Sequence, residues 1–406
     1  MEQPSVNIGM VGHVDHGKST LTFALTGKKT DVHSEEVKRG ISIKLGYADT
    51  PIYRCTDETG KEFYSNKKNS DNCQLSRVIS IVDAPGHETL MATMLAGSAI
   101  MNGAILVIAA NEECPQPQTR EHLTALEIMG IKEIIVVQNK IDLVTRERAM
   151  ESYKEIKDFL KGSIAENAPV IPVSAYHNTN IDVVFEAIEK IIKTPPFNDN
   201  DAPMMYIARS FDINKPGTKP SKLKGGVLGG ALIRGKLTVG DEIEIAPGVQ
   251  ITKGNKTTWD NVTTKITSLM AGSSSYESIL PGGLAAVGTE LDPFLTKGDS
   301  FTGRIIGLKG NVPKTVFNME MDIHLLNRVV GFDEEVNVEP LKSNEMIMLT
   351  VGTANTIGTV TSIKDKRVGV SLKYPVAASI NDRMAIGRRI SNRWRLIGYG
   401  SILTIY

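Results

Sequence analysis

Cysteine is scarce in this chain: Cys55, Cys73 and Cys114 are the only three among 406 residues. An odd, sparse set is no disulfide framework, and it suits a reducing cytosol. An excess of one charge sign is also missing, since Lys plus Arg and Asp plus Glu both count 46. Neutrality argues against a general polyanion binder, so any nucleic-acid contact has to come from local basic patches. No apolar run approaches the roughly 18 residues a membrane helix needs. The start, MEQPSVNIGMVG, has neither a basic segment before an apolar stretch nor a cleavage pattern, so no signal peptide is expected. These absences together predict a soluble cytoplasmic protein with no membrane association. What is present is 41% hydrophobic and 23% charged residues, enough for packed cores in two or three domains.

The first part alternates apolar runs with helical patterns. Residues 6–11, 78–82, 104–110, 133–138 and 170–174 read as buried strands, and 121–129, 145–161 and 181–193 as helices. Strands apolar on both faces and separated by helices predict a mostly parallel sheet with helices on both faces. Thr194, Pro195 and Pro196 stop the last helix, and the polar stretch 197–203 marks a boundary. Beyond it, glycine-rich segments such as KLKGGVLGGALIRGKLTVGDEIEIAPG predict antiparallel β structure in two small barrels. The expected division is an α/β domain over 1–198, one barrel over 199–312 and a second over 313–406.

The chemistry concentrates in the α/β part. Residues 12–19, GHVDHGKS, fit G-x-x-x-x-G-K-S and follow a predicted strand directly. Such a loop wraps a β-phosphate with backbone N–H groups at a helix N-terminus. In that pattern Asp15, His16, Gly17, Lys18, Ser19 and Thr20 line the phosphates, Lys18 reaching the β- and γ-phosphates and the Ser19 hydroxyl ligating Mg²⁺. Strand 78–82 ends in Asp83, placed to hold a Mg²⁺-bound water, and Gly86 comes three residues later to sense the γ-phosphate. Asn139, Lys140 and Asp142 succeed another strand. The Asp142 carboxylate accepts from guanine N1–H and its exocyclic amine, whereas adenine leaves it unpaired, so GTP is preferred over ATP. Ser174, Ala175 and Tyr176 end the next strand, with the Ala175 N–H aimed at guanine O6. A P-loop GTPase domain is the reading.

At GHVDHGKST, DAPGH and NKID the chain resembles the translational GTPases, the group that includes elongation factor Tu. Arg39-Gly40-Ile41-Ser42-Ile43 is similar to that group's first switch motif, with Ser42 where Thr is usual. The resemblance implies Mg²⁺ ligation by Ser42 in the GTP state and a second Mg²⁺ at Asp15 and the Gly40 carbonyl. It also implies that His87 orients the attacking water, and that turnover is slow without an activator. More narrowly, HSEEVKRGISIKLGYADT, residues 83–122 and the ending RISNRWRLIGYG resemble the gamma subunit of translation initiation factor 2 in its archaeal form. That likeness runs from about residue 5 to the C-terminus. It implies a heterotrimer with alpha and beta subunits, and GTP-dependent delivery of methionylated initiator tRNA to the small ribosomal subunit. The aminoacylated end would lie between the GTP domain and the first barrel, with Tyr47 stacked on the terminal adenine or serving only as a half-buried strand aromatic.

One departure from the resemblance concerns zinc. The family's knuckle has four cysteines; here Glu58 and Ser70 stand where the partners of Cys55 and Cys73 belong. Two thiolates and one carboxylate make a poor structural zinc site, so no zinc is expected and the loop should hold by its own packing. Two basic groups, Lys215, Lys219, Lys222 and Lys224, and Arg388, Arg389, Arg393 and Arg395, are candidate RNA contacts or plain solvated faces. Competing readings are another aminoacyl-tRNA elongation-type GTPase, such as the selenocysteine-specific factor, which should carry a further C-terminal extension, and a metabolic GTPase driving a sulfate-activating enzyme. A dead nucleotide site is disfavoured by the intact Lys18, Ser19, Asp83 and Asp142.

Overall fold

The computed structural model describes residues 2–30, 46–68, 71–84, 91–198, 200–254, 256–329 and 336–406. The first region runs β1 (Asn7–Gly12), α1 (Lys18–Thr26), β2 (Gly46–Thr56), β3 (Glu62–Ser65), β4 (Cys73–Asp83), α2 (Met91–Ser98) and β5 (Gly103–Ala109). It continues through α3 (Pro117–Met129), β6 (Ile134–Asn139), α4 (Arg146–Leu160), β7 (Val170–Pro172) and α5 (Ile181–Ile191). Its seven strands lie in the order β3-β2-β4-β1-β5-β6-β7. Pairing is parallel from β4 through β7, and antiparallel for β2 with β4 and with β3.

Period-two alternation sorts each central strand between two cores. Leu106 and Ile108 of β5 face Leu95, Leu123, Leu126, Ile156 and Leu160, while Ile105 and Val107 face Leu21, Leu25, Val184, Phe185 and Ile188. Both faces are therefore covered by helices, as the doubly apolar strands require. Helix ends obey local chemistry. Thr145 caps α4 by accepting from the Arg148 amide. Pro117 opens α3, and Gly130, at φ 77°, closes it.

The rest is β structure: β8 (Met204–Phe211), β9 (Val227–Arg234), β10 (Leu237–Thr238), β11 (Glu242–Lys253), β12 (Lys256–Ala271), β13 (Ser274–Tyr276), β14 (Ser278–Ile279), β15 (Leu284–Thr289) and β16 (Ile305–Leu308) come first. Six of these form a ring, β11-β16-β8-β9-β15-β12, closed by the β11–β12 pairing. Next come β17 (Lys314–Leu325), β18 (Met346–Val351), β19 (Ala354–Lys364), β20 (Arg367–Ala378), β21 (Arg383–Ile390) and β22 (Arg393–Ile405). They close a second six-stranded antiparallel barrel, β17-β20-β19-β18-β21-β22. Inward residues alternate along each strand, as in Val368, Val370 and Leu372 of β20. Among the described residues no helix is long and apolar enough to cross a membrane.

Both barrels grip the α/β domain through polar bonds. The Gly283 amide donates to the Pro4 carbonyl at 2.7 Å and the Leu284 amide to Ser80 Oγ at 3.3 Å. In the second barrel Asn355 Nδ2 donates to the Ala92 carbonyl of α2 at 3.1 Å. Arg395 of β22 donates to Glu121 of α3 at 3.0 Å, both side chains buried.

The expectation of unpaired cysteines is corrected. Cys55 and Cys73 stand opposite each other on antiparallel neighbours β2 and β4, and they form a disulfide with Cα atoms 4.1 Å apart. Sequence spacing carries no trace of this, because the pairing depends on the register of the ribbon. The segment between these strands is thus closed covalently and not by packing alone. Cys114 is free, and burial pushes its thiol up to about 12. The arginine group near the C-terminus also divides. Arg388 is engaged by Glu345 and by the carbonyls of Glu339 and Pro340, and Arg395 by Glu121, so these two are structural. Lys215, Lys219, Lys222 and Lys224 are all exposed.

Candidate functional site

The loops that leave the C-terminal ends of β1, β4, β6 and β7 meet at one edge of the sheet, where a parallel α/β sheet ordinarily binds its ligand. The phosphate loop turns between β1 and α1. Gly12 and Gly17 have φ of 141° and 90°, and a Cβ on either would strike the Val107 carbonyl or the Asn139 amide. Glycine is required at both places, for conformation and for close approach. Lys18 Nζ donates to the His13 carbonyl at 2.7 Å, drawn across its own loop. Thr20 is exposed on α1 and Asp15, at φ 61°, is exposed on the loop.

Ser19 Oγ donates to Asp83 Oδ2 at 2.9 Å, and Thr30 Oγ1 donates to the same oxygen at 2.7 Å. A hydroxyl and a fully buried carboxylate side by side form the hard-oxygen donor set that Mg²⁺ takes. The residues present therefore fit that ion. Gly40, Ser42, Gly86 and His87, the remaining metal and catalytic candidates, lie outside the described residues.

The corner where the loops after β1, β6 and β7 meet is knitted around Asn139. Its Nδ2 donates to the His16 carbonyl at 3.0 Å, and its Oδ1 accepts from the Ala175 amide at 3.1 Å. Asn139 thus ties the loops after β1, β6 and β7 together, and the Ala175 N–H expected at guanine O6 is placed on Asn139. Lys140 takes the left-handed conformation, φ 62°, and Asp142 lies just beyond it on a single helical turn, with His177 Nε2 4.0 Å away. Ser174 Oγ accepts from the His177 amide at 3.3 Å, and Tyr176 stands 79% exposed.

Sequence reasoning missed the supports behind the phosphate loop, which come from α3. His122 Nδ1 accepts from the Gly12 amide at 2.8 Å, and Gln118 Oε1 accepts from the Val14 amide at 3.2 Å. Their spacing of four puts both on one helix face, a signal visible in PQTREH only once the loop is known to lie above it. Burial pushes His122 down to about 3, with Lys18 adding to the effect, so its ring stays neutral and able to accept. His13 falls to about 4, first through burial and then through His16. The buried His16 ring bonds the Val107 carbonyl at 3.0 Å and lies 3.4 Å from Glu112, whose carboxyl that imidazole holds below its ordinary value. His16 thus braces the loop through its ring.

A second concavity, a cavity of about 430 Å³, opens between the α/β domain and the first barrel. Tyr47, Asp49 and Lys28 line one wall, and Arg209, Phe211 and Met270 the other. Tyr47 is half-buried on β2 beside Val82, and its hydroxyl is buried with no hydrogen-bond partner among the described residues. Burial raises its pKa well above the ordinary value.

Comparison with known proteins agrees with this geometry. The family model "Elongation factor Tu GTP binding domain" matches residues 3–194, the sheet and helices just described. The chain is accordingly a GTPase of the translational class, an enzyme acting on GTP with Mg²⁺. A second model, "Initiation factor eIF2 gamma, C terminal", matches residues 317–402 in the last barrel. Translation initiation factor 2 subunit gamma of Thermoplasma acidophilum is 72% identical over 405 residues, covering 100% of this chain and 98% of that protein. The subunit from Methanocaldococcus jannaschii is 57% identical, with 99% and 98% covered. The chain belongs to the gamma subunit family of translation initiation factor 2, and so to a multisubunit initiation factor. Among solved structures, the bacterial selenocysteine-specific elongation factor EF-Sec superposes with TM-score 0.75 at 24% identity, covering 100% of this chain and 59% of that one. Elongation factor SelB of Methanococcus maripaludis with a GTP analogue gives 0.73 at 21%, covering 100% and 80%. These two speak to the fold alone.

Proposed function

We propose that the chain carries methionylated initiator tRNA to the small ribosomal subunit in its GTP state and releases it after hydrolysis, working with alpha and beta subunits. The observation that carries this reading is the cavity between the GTP domain and the first barrel, with Tyr47 in its wall. Tyr47 lies on β2, whose first residue, Gly46, pairs with Asp83 of the nucleotide site. A change at the γ-phosphate edge can therefore reach the cavity along one strand. Tyr47 would stack on the terminal adenine.

In the nucleotide site, the loop N–H groups from Asp15 to Thr20 and the Lys18 ammonium would hold the phosphates, and Asp142 would select guanine. Asn139, Lys140, Ser174, Ala175 and Tyr176 would shape the base slot. Ser19, Asp83 and, in the GTP state, Ser42 would hold Mg²⁺, which neutralises phosphate charge when bound; Asp15 and Gly40 would hold a second ion. Gly86 would sense the γ-phosphate and His87 would orient the attacking water. Division into 1–198, 199–312 and 313–406 would let the GTP domain and barrels shift as units.

The test is filter binding of methionylated initiator tRNA to the assembled factor, with a non-hydrolysable GTP analogue and with GDP, against elongator tRNA competitors. Tight, analogue-dependent, initiator-selective binding is expected. Binding without initiator preference would point to an elongation-type carrier. No binding in either state would remove the tRNA role and favour the metabolic reading.

A further inference from the structure

Thr30 belongs to none of the motifs that mark the nucleotide site, yet it touches the acid at its centre. It lies beyond the end of α1, only 8% exposed, and its Oγ1 donates to Asp83 Oδ2 at 2.7 Å. Ser19 Oγ donates to the same oxygen at 2.9 Å. A carboxylate with no exposure needs donors to hold its charge. Two hydroxyls converging on one of its oxygens also fix the rotation of the carboxyl group about its Cβ–Cγ bond.

The surrounding backbone is shaped to bring Thr30 there. Gly27, at φ 69°, closes α1 with its amide on the Phe23 carbonyl. Lys28 Nζ then ties the turn to β2 through the Asp49 carbonyl at 3.2 Å. Gly46, the first residue of β2, pairs with Asp83 of β4. A Cβ built on Gly46 would lie 2.6 Å from Thr30 Cβ and 3.4 Å from Asp83 Cβ. Glycine is needed here for space, because a side chain would push Thr30 off the carboxylate.

Ser19 gives its proton to Asp83 and keeps oxygen lone pairs for a metal ion. Thr30 has a different place, bonded to a group that serves the ion. Removing such an orienting partner typically costs roughly 10- to 100-fold in metal affinity. We infer that Thr30 is a positioning residue of the nucleotide site: its hydroxyl, admitted by the bare Gly46, holds the Asp83 carboxylate in the orientation that serves Mg²⁺, and so sets the Mg²⁺ concentration at which the chain retains nucleotide. The role rests on the reading of Ser19 and Asp83 as the Mg²⁺ site and adds to it the residue that aims the acid. A hydroxyl that only neutralised a buried charge would change stability and leave the Mg²⁺ requirement alone.

The experiment follows release of a fluorescent GDP, methylanthraniloyl-GDP, from the full chain over a range of Mg²⁺ concentrations. GDP is the probe because Ser42 is proposed at the ion only in the GTP state. Wild type is compared with Thr30→Val, Thr30→Ser, Gly46→Ala, and Asp83→Asn with and without Thr30→Val. Thermal unfolding midpoints without Mg²⁺ verify that each variant folds. Thr30→Val should raise the Mg²⁺ concentration that half-maximally slows release by about tenfold or more, while Thr30→Ser stays within about threefold of wild type. Gly46→Ala keeps the hydroxyl but displaces it, and should move in the same direction as Thr30→Val. In the Asp83→Asn background Thr30→Val should add little, since the two side chains act as one unit. A folded Thr30→Val with wild-type Mg²⁺ dependence, or one whose shift is equal in the Asp83→Asn background, would overturn the assignment. If Thr30→Val does not fold, equal Mg²⁺ dependence in Thr30→Ser and Gly46→Ala overturns it instead. Release from wild type that ignores Mg²⁺ altogether is a different result, and would sink the reading of Ser19 and Asp83 as the metal site.

Discussion

Protonating His122 would destroy the bond it accepts from the Gly12 amide, and its burial makes that protonation hard. The ordinary value is 6.5 and the folded value about 3. Between those limits the unfolded chain binds a proton that the native chain refuses, so stability falls as pH drops through the window. Per pH unit a fully refused proton amounts to about 1.4 kcal/mol. His13 adds to the same limb down to about 4. His122→Ala should lower stability at neutral pH by about 1–3 kcal/mol, because a buried N–H loses its acceptor. It should also speed GDP release and flatten the acid limb. Urea unfolding at a series of pH values checks this; an unchanged acid slope in the variant would refute the account. Asp142, Lys18 and Ser19 stand out in the sequence as candidates because their motifs name both residue and spacing. His122 and Gln118 were not, since their partners are 110 and 104 residues away along the chain.

At the level of elements, the ribbon of β2, β3 and β4 differs from the rest of the sheet in being antiparallel and covalently closed. A loop spanning 18 positions loses denatured-state freedom worth about 3 kcal/mol when bridged. Denatured without reductant, the chain should show one reactive thiol, that of Cys114, and three after reduction. The double variant Cys55→Ser, Cys73→Ser should be less stable by up to about 3 kcal/mol. Three reactive thiols before reduction would mean that the bond does not form in solution. Central strands and long helices could be read to within a few residues, because burial on both faces leaves continuous apolar runs. Predicted helix 145–161 is observed as Arg146–Leu160 with Thr145 as its cap. The helix predicted from 121 begins earlier, at Pro117, because its first turn is polar and faces the phosphate loop.

For the whole molecule, α3 is the member that touches both the nucleotide loop and the second barrel. Gln118 and His122 hold the loop, while Glu121 meets Arg395 with both side chains buried, and burial pushes Glu121 up to about 7 despite that arginine. Removing one partner leaves a buried charge, so Glu121→Leu or Arg395→Met alone should cost about 3–5 kcal/mol. The pair exchanged together for apolar residues should recover most of that loss. Chemical denaturation of the two single variants and the double variant measures the coupling. Additive losses would show that the two side chains do not act as a pair.

From the sequence alone came the α/β region with its glycine-rich loop after the first strand, the NKID motif that carries Asp142 and the antiparallel character of the chain beyond residue 203. These are local matters, decided by periodicity, turn residues and motifs within about twenty positions. Register and docking were decided only in three dimensions. They joined Cys55 to Cys73, divided the C-terminal arginines between two internal partners, set α3 behind the phosphate loop and put Asp49 opposite Gly272 across two domains. The physical reason is the same in each case: a contact between distant residues is selected by the burial and hydrogen bonding of whole elements, and no local pattern encodes which partner will arrive.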